Sequence, residues 1–438
     1  MENVISKEQH DLAELGFCRC LLKQHRFSRI NERLGKRQHL SSAELWLIYA
    51  QAQRNLGDYN NAQFGIQRAL SLDRNNIDIQ REEKAIKMKN DRSRTYDPID
   101  FDSYSSSLRN EHSVYNILSI DGGGIRGIIP AIWLMSLEHK IRQPISSIFH
   151  VIAGTSTGAI IGAGLTTPSL TDSSKPRYQA ADLVEIYRKK AKQVFSINEN
   201  FISRMRNYVL KEAKYLDAGR HMLFSDYFGG SRLSDALAEL IIPAVKSDSN
   251  VTDIFTRHGS LKDRTKNHLL TEILMCTTAA PTYFQAYKLE NVLYVDGGVQ
   301  ANNPAMFAYD HAISANCNCD KNRIRLLSLG TGDYVSDSLN PNESRNLLFW
   351  AKNHQSVLRV LMDGPQNNID LHLNSVLNEN YHRWQIWLEN PIDLDDTEEN
   401  SINKLIDLAY GHLEEMEAYD NRHRLGLLVE KLQSSFES

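Results

Sequence analysis

Ser156 stands in Gly154-Thr155-Ser156-Thr157-Gly158, between an apolar, β-branched run at 149–153 (FHVIA) and a compact run at 159–165 (AIIGAGL). The first has the character of a buried strand and the second of a tightly packed helix, so the serine falls on a strand-to-helix corner. A side chain at Gly154 or Gly158 would restrict that corner or collide with a neighbouring strand. The turn exposes the Ser156 hydroxyl at a helix N-terminus, where unpaired N–H groups and the helix dipole favour a developing alkoxide. This is the setting of a nucleophile, although the same glycine spacing also serves a purely structural turn.

Two further stretches carry chemistry. Asp121-Gly122-Gly123-Gly124-Ile125-Arg126-Gly127 lies between a predicted strand at 114–120 and a predicted helix at 127–141. It fits G-x-G-x-x-G, the spacing of a dinucleotide fingerprint. That reading needs an acid at the end of a second strand to contact ribose, and the nearest candidate, Glu138, falls inside the first helix. Gly122, Gly123 and Gly124 also offer the run of backbone N–H groups that an oxyanion hole requires, with Arg126 adding positive charge. Farther along, the strand Leu293-Tyr294-Val295 delivers Asp296 to a glycine turn, where the plain alternative is a capping aspartate.

The elements that must position these residues alternate between strand and helix from Val114 onward, which predicts an α/β core: a central, mostly parallel sheet flanked by helices. Residues 231–245 (SRLSDALAELIIPAV) read as an amphipathic helix inside a large polar insertion at 171–265. Asn302-Asn303-Pro304 opens a helix by capping chemistry, and 325–329 forms another strand closing in Gly330-Thr331-Gly332. The acidic loop at 393–399 and the helix that follows it read as packing material.

Residues 1–90 have a different texture and predict a small all-α domain. Ser41 and Glu44 form an S-x-x-E capping box, Gly57 breaks the helix it opens, and a second helix runs over 59–72. This hairpin resembles a tetratricopeptide repeat at Trp46, Gly57, Tyr59, Ala62, Ala69 and Leu70, with Ala50 in a slot usually held by Gly and Arg74 where Pro is common. Phe27 and Ile30 suggest a weaker preceding copy, and helical residues at 77–88 cap the stack. A hairpin cannot bury its own face alone, so it packs on its neighbours or on the second domain; a docking surface for a protein partner or activator is the sharper expectation. Residues 91–113 predict a linker and 114–438 the second domain.

A chain of 438 residues with net charge −4 lacks the basic footprint of a nucleic-acid binder. No apolar stretch of secretory-signal length opens it, so the expectation is a cytoplasmic protein, peripheral at membranes, with export as an effector without a cleaved signal left open. Residues 143–170 lack Asp, Glu, Lys and Arg, but Pro144, Pro168, His150 and many small polar residues exclude a membrane span. The five cysteines, including the C-x-C pairs Cys18/Cys20 and Cys317/Cys319, fit free thiols better than disulfides or a zinc site.

Taken together, DGGGIRG, GTSTG, AAPTYF, the DGG at Asp296 and LSLGTG occur in an order that resembles the patatin-like phospholipase family, across about residues 114–435. The resemblance implies a Ser/Asp dyad, with Ser156 as nucleophile, Asp296 as base and Gly122, Gly123 and Gly124 as oxyanion hole. It implies a lipid acyl hydrolase of phospholipase A type acting on membrane phospholipid or galactolipid, without metal or cofactor. The alternative is a protein-binding repeat protein whose hydrolase core is inactive.

Overall fold

A computed structural model describes residues 7–36, 40, 42–89, 92, 114–195, 214–315, 321–334, 354–419 and 425–434. Its N-terminal part consists of α1 (Lys7–Lys23), α2 (Phe27–Leu34), α3 (Ala43–Asn55), α4 (Tyr59–Leu72) and α5 (Ile77–Met88). α3 and α4 form the expected hairpin, reversing at Gly57, whose φ of +81° is open to glycine. The helices approach closely because Gly65 faces Tyr49 and Ala50; a Cβ there would stand 2.9 Å from the tyrosine ring. The cap of α3 differs from expectation. Ser42 accepts the Leu45 N–H, Glu44 reaches away to Arg19, and Ser41 lies outside the described residues. Trp46, Ile48, Ala62, Ile66, Ile79 and their neighbours make a hydrophobic core separate from that of the second domain.

The second domain is built on β1 (Tyr115–Ile120), β2 (Val151–Gly154), β3 (Glu239–Lys246), β4 (Val251–Thr256), β5 (Tyr287–Leu289), β6 (Val292–Asp296) and β7 (Ile324–Leu329). Then follow β8 (Asp333–Tyr334), β9 (Tyr381–Trp384) and β10 (Trp387–Leu388). The main sheet has the order β5-β6-β3-β2-β1-β7-β9, with β4 also on β3, while β8 and β10 pair separately. β3, β2, β1, β7 and β9 run parallel; β4 and β6 are antiparallel to β3. A parallel sheet covered on both faces buries its strands along their length, as it does β1 beyond Tyr115 and the whole of β7, where the polar Asn116, Ser119, Arg325 and Ser328 are buried among the apolar residues. On one face Leu118 and Ile120 pack with α6 (Ile128–Ile141), α8 (Thr157–Thr166) and α9 (Ala180–Val194), which follow the short α7 (Ile145–Ile148). On the other, Ile117, Val151 and Ile241 meet Ala305, Ala308 and Leu373 from the helices Ala305–Ala315 and His354–Leu377.

The structure corrects the reading of 231–245 as a helix: Leu233–Asp235 is one 3-10 turn and Glu239–Lys246 is β3. Leu233, Leu237 and Leu240 mimic helical spacing, but Pro243 cannot sit in a helix interior, and the apolar run LIIPAV is buried along its whole length, as a central strand requires. The span 171–265 is therefore not an insertion, since it supplies β3 and β4 to the sheet. The expected linker at 91–113 lies outside the described residues except Arg92.

Candidate active site

Ser156 and Asp296 meet because two strands are registered on β3. Ala153, at the end of β2, lies opposite Ile241, and Asp296, at the end of β6, lies opposite Ala244, three residues farther along. Ser156 occupies the corner between β2 and α8 with φ +52° and ψ −116°, a conformation rare for a residue with a side chain. The corner depends on its glycines. A Cβ on Gly158 would collide with the Ile120 and Asp121 carbonyls beyond β1, and one on Gly154 would collide with the Gly158 carbonyl.

Ser156 Oγ donates to Asp296 Oδ2 at 2.7 Å, and the second carboxylate oxygen accepts the Gly298 N–H, also at 2.7 Å. Asp296 is buried, and burial pushes its pKa up to about 6; the Gly298 N–H, the Ser156 hydroxyl and the Arg220 cation each pull it back. Both backbones hang from one short segment, Thr277 to Ala279, at the C-terminal end of the helix Leu270–Thr277. Thr277 Oγ1 accepts the Ser156 N–H at 3.1 Å and donates to the Pro243 carbonyl at 2.7 Å, while the Asp296 N–H donates to the Ala279 carbonyl at 3.0 Å.

The three loop glycines are not equivalent. The Gly122 N–H is committed to the Asn302 carbonyl at 3.0 Å, whereas the Gly123 and Gly124 N–H groups have no acceptor among the described residues. Both glycines line the cleft that contains Ser156 and Asp296. Arg126 is placed behind the loop: its guanidinium donates to the Gly332 carbonyl at 3.1 Å, stacks over Tyr334 and does not line the cleft. It braces the loop and presents no charge to the reacting atoms. Glu138 lies within α6, accepting the Ile145 and Ala180 N–H groups, and so stands away from any ribose position.

The cleft leaves about 80 Å³ of free space and is walled chiefly by Ile160, Ile186, Val194, Phe195, Leu223 and Phe224. Among the described residues no histidine lines it. A larger cavity of about 650 Å³ opens between the two domains, but neither Ser156 nor Asp296 reaches it. Among the described residues no helix is long and apolar enough to cross a membrane, and no cluster of three metal-ligating side chains occurs. Cys18, Cys20 and Cys276 are in no disulfide among the described residues, and Cys317 and Cys319 lie outside them.

Three residues of the site escaped sequence reasoning. Thr277 stands two residues ahead of the motif AAPTYF and carries no chemical signal of its own. Arg220, fully buried on the helix Asp217–Phe228, donates to Thr278 Oγ1 at 2.7 Å, pairs with Asp217 and lies 3.9 Å over the Phe284 ring; nothing in its local sequence announces this. Leu394 corrects the assignment of 393–399 to packing material, since it lines the cleft and its carbonyl accepts the Ile125 N–H at 2.8 Å.

A patatin-like phospholipase family model matches residues 118–309, a span holding the glycine loop, the Ser156 corner and Asp296. Patatin-like protein 2 of Arabidopsis thaliana is 31% identical over 60% of this chain and 72% of its own length. Patatin-like protein 2 of Oryza sativa subsp. japonica is 34% identical over 47% of this chain and 54% of its own. Patatin group M-3 of Solanum tuberosum is 31% identical over 52% and 63%. The crystal structure of VipD from Legionella pneumophila aligns with 70% of this chain and 67% of its own at 14% identity and a TM-score of 0.32, a likeness that carries no argument. The family-model span also holds Thr277 and Arg220, and on the strength of these sequence matches the chain belongs to the patatin-like phospholipase family.

Proposed function

We propose that this chain is a lipid acyl hydrolase of phospholipase A type, cleaving fatty-acyl esters of membrane phospholipid or galactolipid through a Ser156/Asp296 dyad. The observation that carries the reading is the 2.7 Å hydrogen bond from Ser156 Oγ to Asp296 Oδ2 in the wall of an apolar cleft. Asp296 takes the hydroxyl proton as Oγ attacks the ester carbonyl. The Gly123 and Gly124 amides hold the tetrahedral oxyanion, and the dipole of α8 adds to their field. Collapse expels the lysolipid alcohol, which leaves with the proton from Asp296, and the fatty acyl group stays on Ser156. A water then gives its proton to Asp296 and attacks the acyl-enzyme; the second collapse releases the fatty acid and returns the proton to Ser156.

The apolar wall suits an acyl chain, and the lipid enters from a membrane surface that the protein contacts peripherally. An inactive core serving only a repeat domain is disfavoured by the intact serine–aspartate contact. Fatty-acid release from phospholipid vesicles tests the reading. Ser156→Ala is expected to lower release by at least ~10⁴-fold with an unchanged circular dichroism spectrum, and release at the wild-type level would overturn it.

A further inference from the structure

The segment that follows β10 lies outside the family match, yet it joins the N-terminal helices to the glycine loop. At its start, Glu389 accepts the Ser28 N–H at 2.7 and 3.0 Å and the Ser28 hydroxyl. A carboxylate from the second domain thus satisfies an orphan amide in the first turn of α2, whose own N-cap residue supplies no side-chain bond. Beside it, the His25 ring stacks on Trp387 with centroids 5.0 Å apart. Farther along, the Tyr334 hydroxyl clamps Ile392 from both sides, donating to its carbonyl at 2.7 Å and accepting its N–H at 2.6 Å. Asp395 then accepts the Tyr215 hydroxyl at 2.5 Å and pairs with Lys214. Lys214 and Tyr215 donate their amides to Thr282 and Tyr283 on the opposite side of the cleft.

Between these two clamps sits Leu394. Its carbonyl takes the Ile125 N–H and packs so closely on Gly124 that any Cβ there would collide with it. The loop 392–395 is therefore a strap fastened at both ends across the loop that carries the unpaired Gly123 and Gly124 amides.

We propose that residues 392–395 are a positioning strap for the oxyanion loop, and that the N-terminal helices set the strap through Glu389 and Trp387. The inference rests on the hydrolase reading of the same site. Tyr334, Asp395 and Glu389 are positioning residues: they touch no reacting atom, and they act by aiming two amides. A misaimed oxyanion donor weakens transition-state binding more than substrate binding, so the loss falls on kcat with KM little changed.

The test uses the full chain and a soluble ester, p-nitrophenyl butyrate, with reactive serines counted by end-point fluorophosphonate labelling so that kcat is expressed per competent site. Turnover by wild type and its absence in Ser156→Ala come first; failure there sinks the hydrolase reading and not the strap. Given turnover, Tyr334→Phe and Asp395→Ala should each lower kcat about tenfold with KM within about twofold. Asp395→Asn, which keeps an acceptor for Tyr215, should recover most of the loss. Glu389→Ala should lower kcat about threefold and add little to Tyr334→Phe, because both act through one strap. Unchanged kcat in Tyr334→Phe and Asp395→Ala, or a loss confined to KM, would overturn the strap. Glu389→Ala that is silent, or that multiplies fully with Tyr334→Phe, would overturn its link to the N-terminal helices.

Discussion

In the proposed mechanism Asp296 does the work usually given to an imidazole, and its surroundings explain how a carboxylate can. Burial raises its pKa to about 6, while Gly298, Ser156 and Arg220 keep it from rising further, so it is ionised and yet basic near neutral pH. The base must be deprotonated, so kcat/KM is expected to climb as pH rises through about 6 and then level off. Asp296→Asn should remove the activity together with that limb. The same shift acts against folding. The folded state holds this proton more tightly than the unfolded chain does, so the contribution of Asp296 to stability declines as pH rises from the ordinary carboxylate range to about 6. His258 and His311 lie 6.0 Å apart, with His311 beside Glu239 at the start of β3, the end opposite Ala244 and Asp296. Single replacements of His258, His268 and His311 should leave the pH profile in place; an acid limb that disappears with any one of them would show that the base is misassigned.

The corner between β2 and α8 works only because backbone passes where side chains would stand. Gly158→Ala would drive a methyl group into the Ile120 and Asp121 carbonyls, which cannot yield without moving β1 and the glycine loop. Overpacking of this kind costs about 1–3 kcal/mol, and here it would also displace Ser156, so both the denaturation midpoint and the activity should fall. Gly16 in α1 is the contrast: a Cβ there meets open space, and Gly16→Ala should be stabilising by ~0.5–1 kcal/mol. Equal effects of the two substitutions in urea denaturation would refute the collision argument. The bracket at Thr277–Ala279 belongs to the same scale, since one segment fixes the backbones of both Ser156 and Asp296 and a small shift in it moves the pair together.

Across the whole molecule, the helix Glu399–Tyr419 is the surface on which the N-terminal domain rests. Arg54 is buried there between Glu82 at 2.6 Å and Glu415 at 2.7 Å, and also donates to the Gly411 carbonyl at 3.3 Å. Tyr419 reaches back to Glu82, and Arg92 joins Glu414 and Asp407. Removing one member of a buried ionic group leaves the other charge uncompensated, at a cost of about 3–5 kcal/mol. Arg54→Ala should therefore loosen the docking, with protease cleavage between the domains faster than in wild type and unfolding of the helical domain at a lower temperature. Cleavage and unfolding indistinguishable from wild type would mean that the ionic group is not what holds the domains together. A single helical hairpin has little core of its own; here α1, α2 and α5 and this contact supply the rest.

Local pattern determined the chemistry of this protein. The glycines around Ser156, the acid at the end of an apolar strand and the triple-glycine loop were legible because each depends on neighbours a few residues away, as were the hairpin of α3 and α4 and most of the strands. Even the misread β3 carried evidence against a helix, Pro243, within its own run. What tertiary structure alone decided involves partners distant in the chain. Asn302 takes the Gly122 amide and leaves the Gly123 and Gly124 amides with no acceptor among the described residues. Gly332 and Tyr334 hold Arg126 behind the loop. Arg220, on a helix with no marked motif, lies close enough to Asp296 for its charge to lower the aspartate's pKa, and Leu394 arrives from more than two hundred residues beyond Ser156 to line the cleft. Spacing along a chain fixes which way a side chain leaves its own strand or helix; which amide remains unpaired, and which charge ends up buried, follows only when separate elements compete for the same space and the same hydrogen bonds.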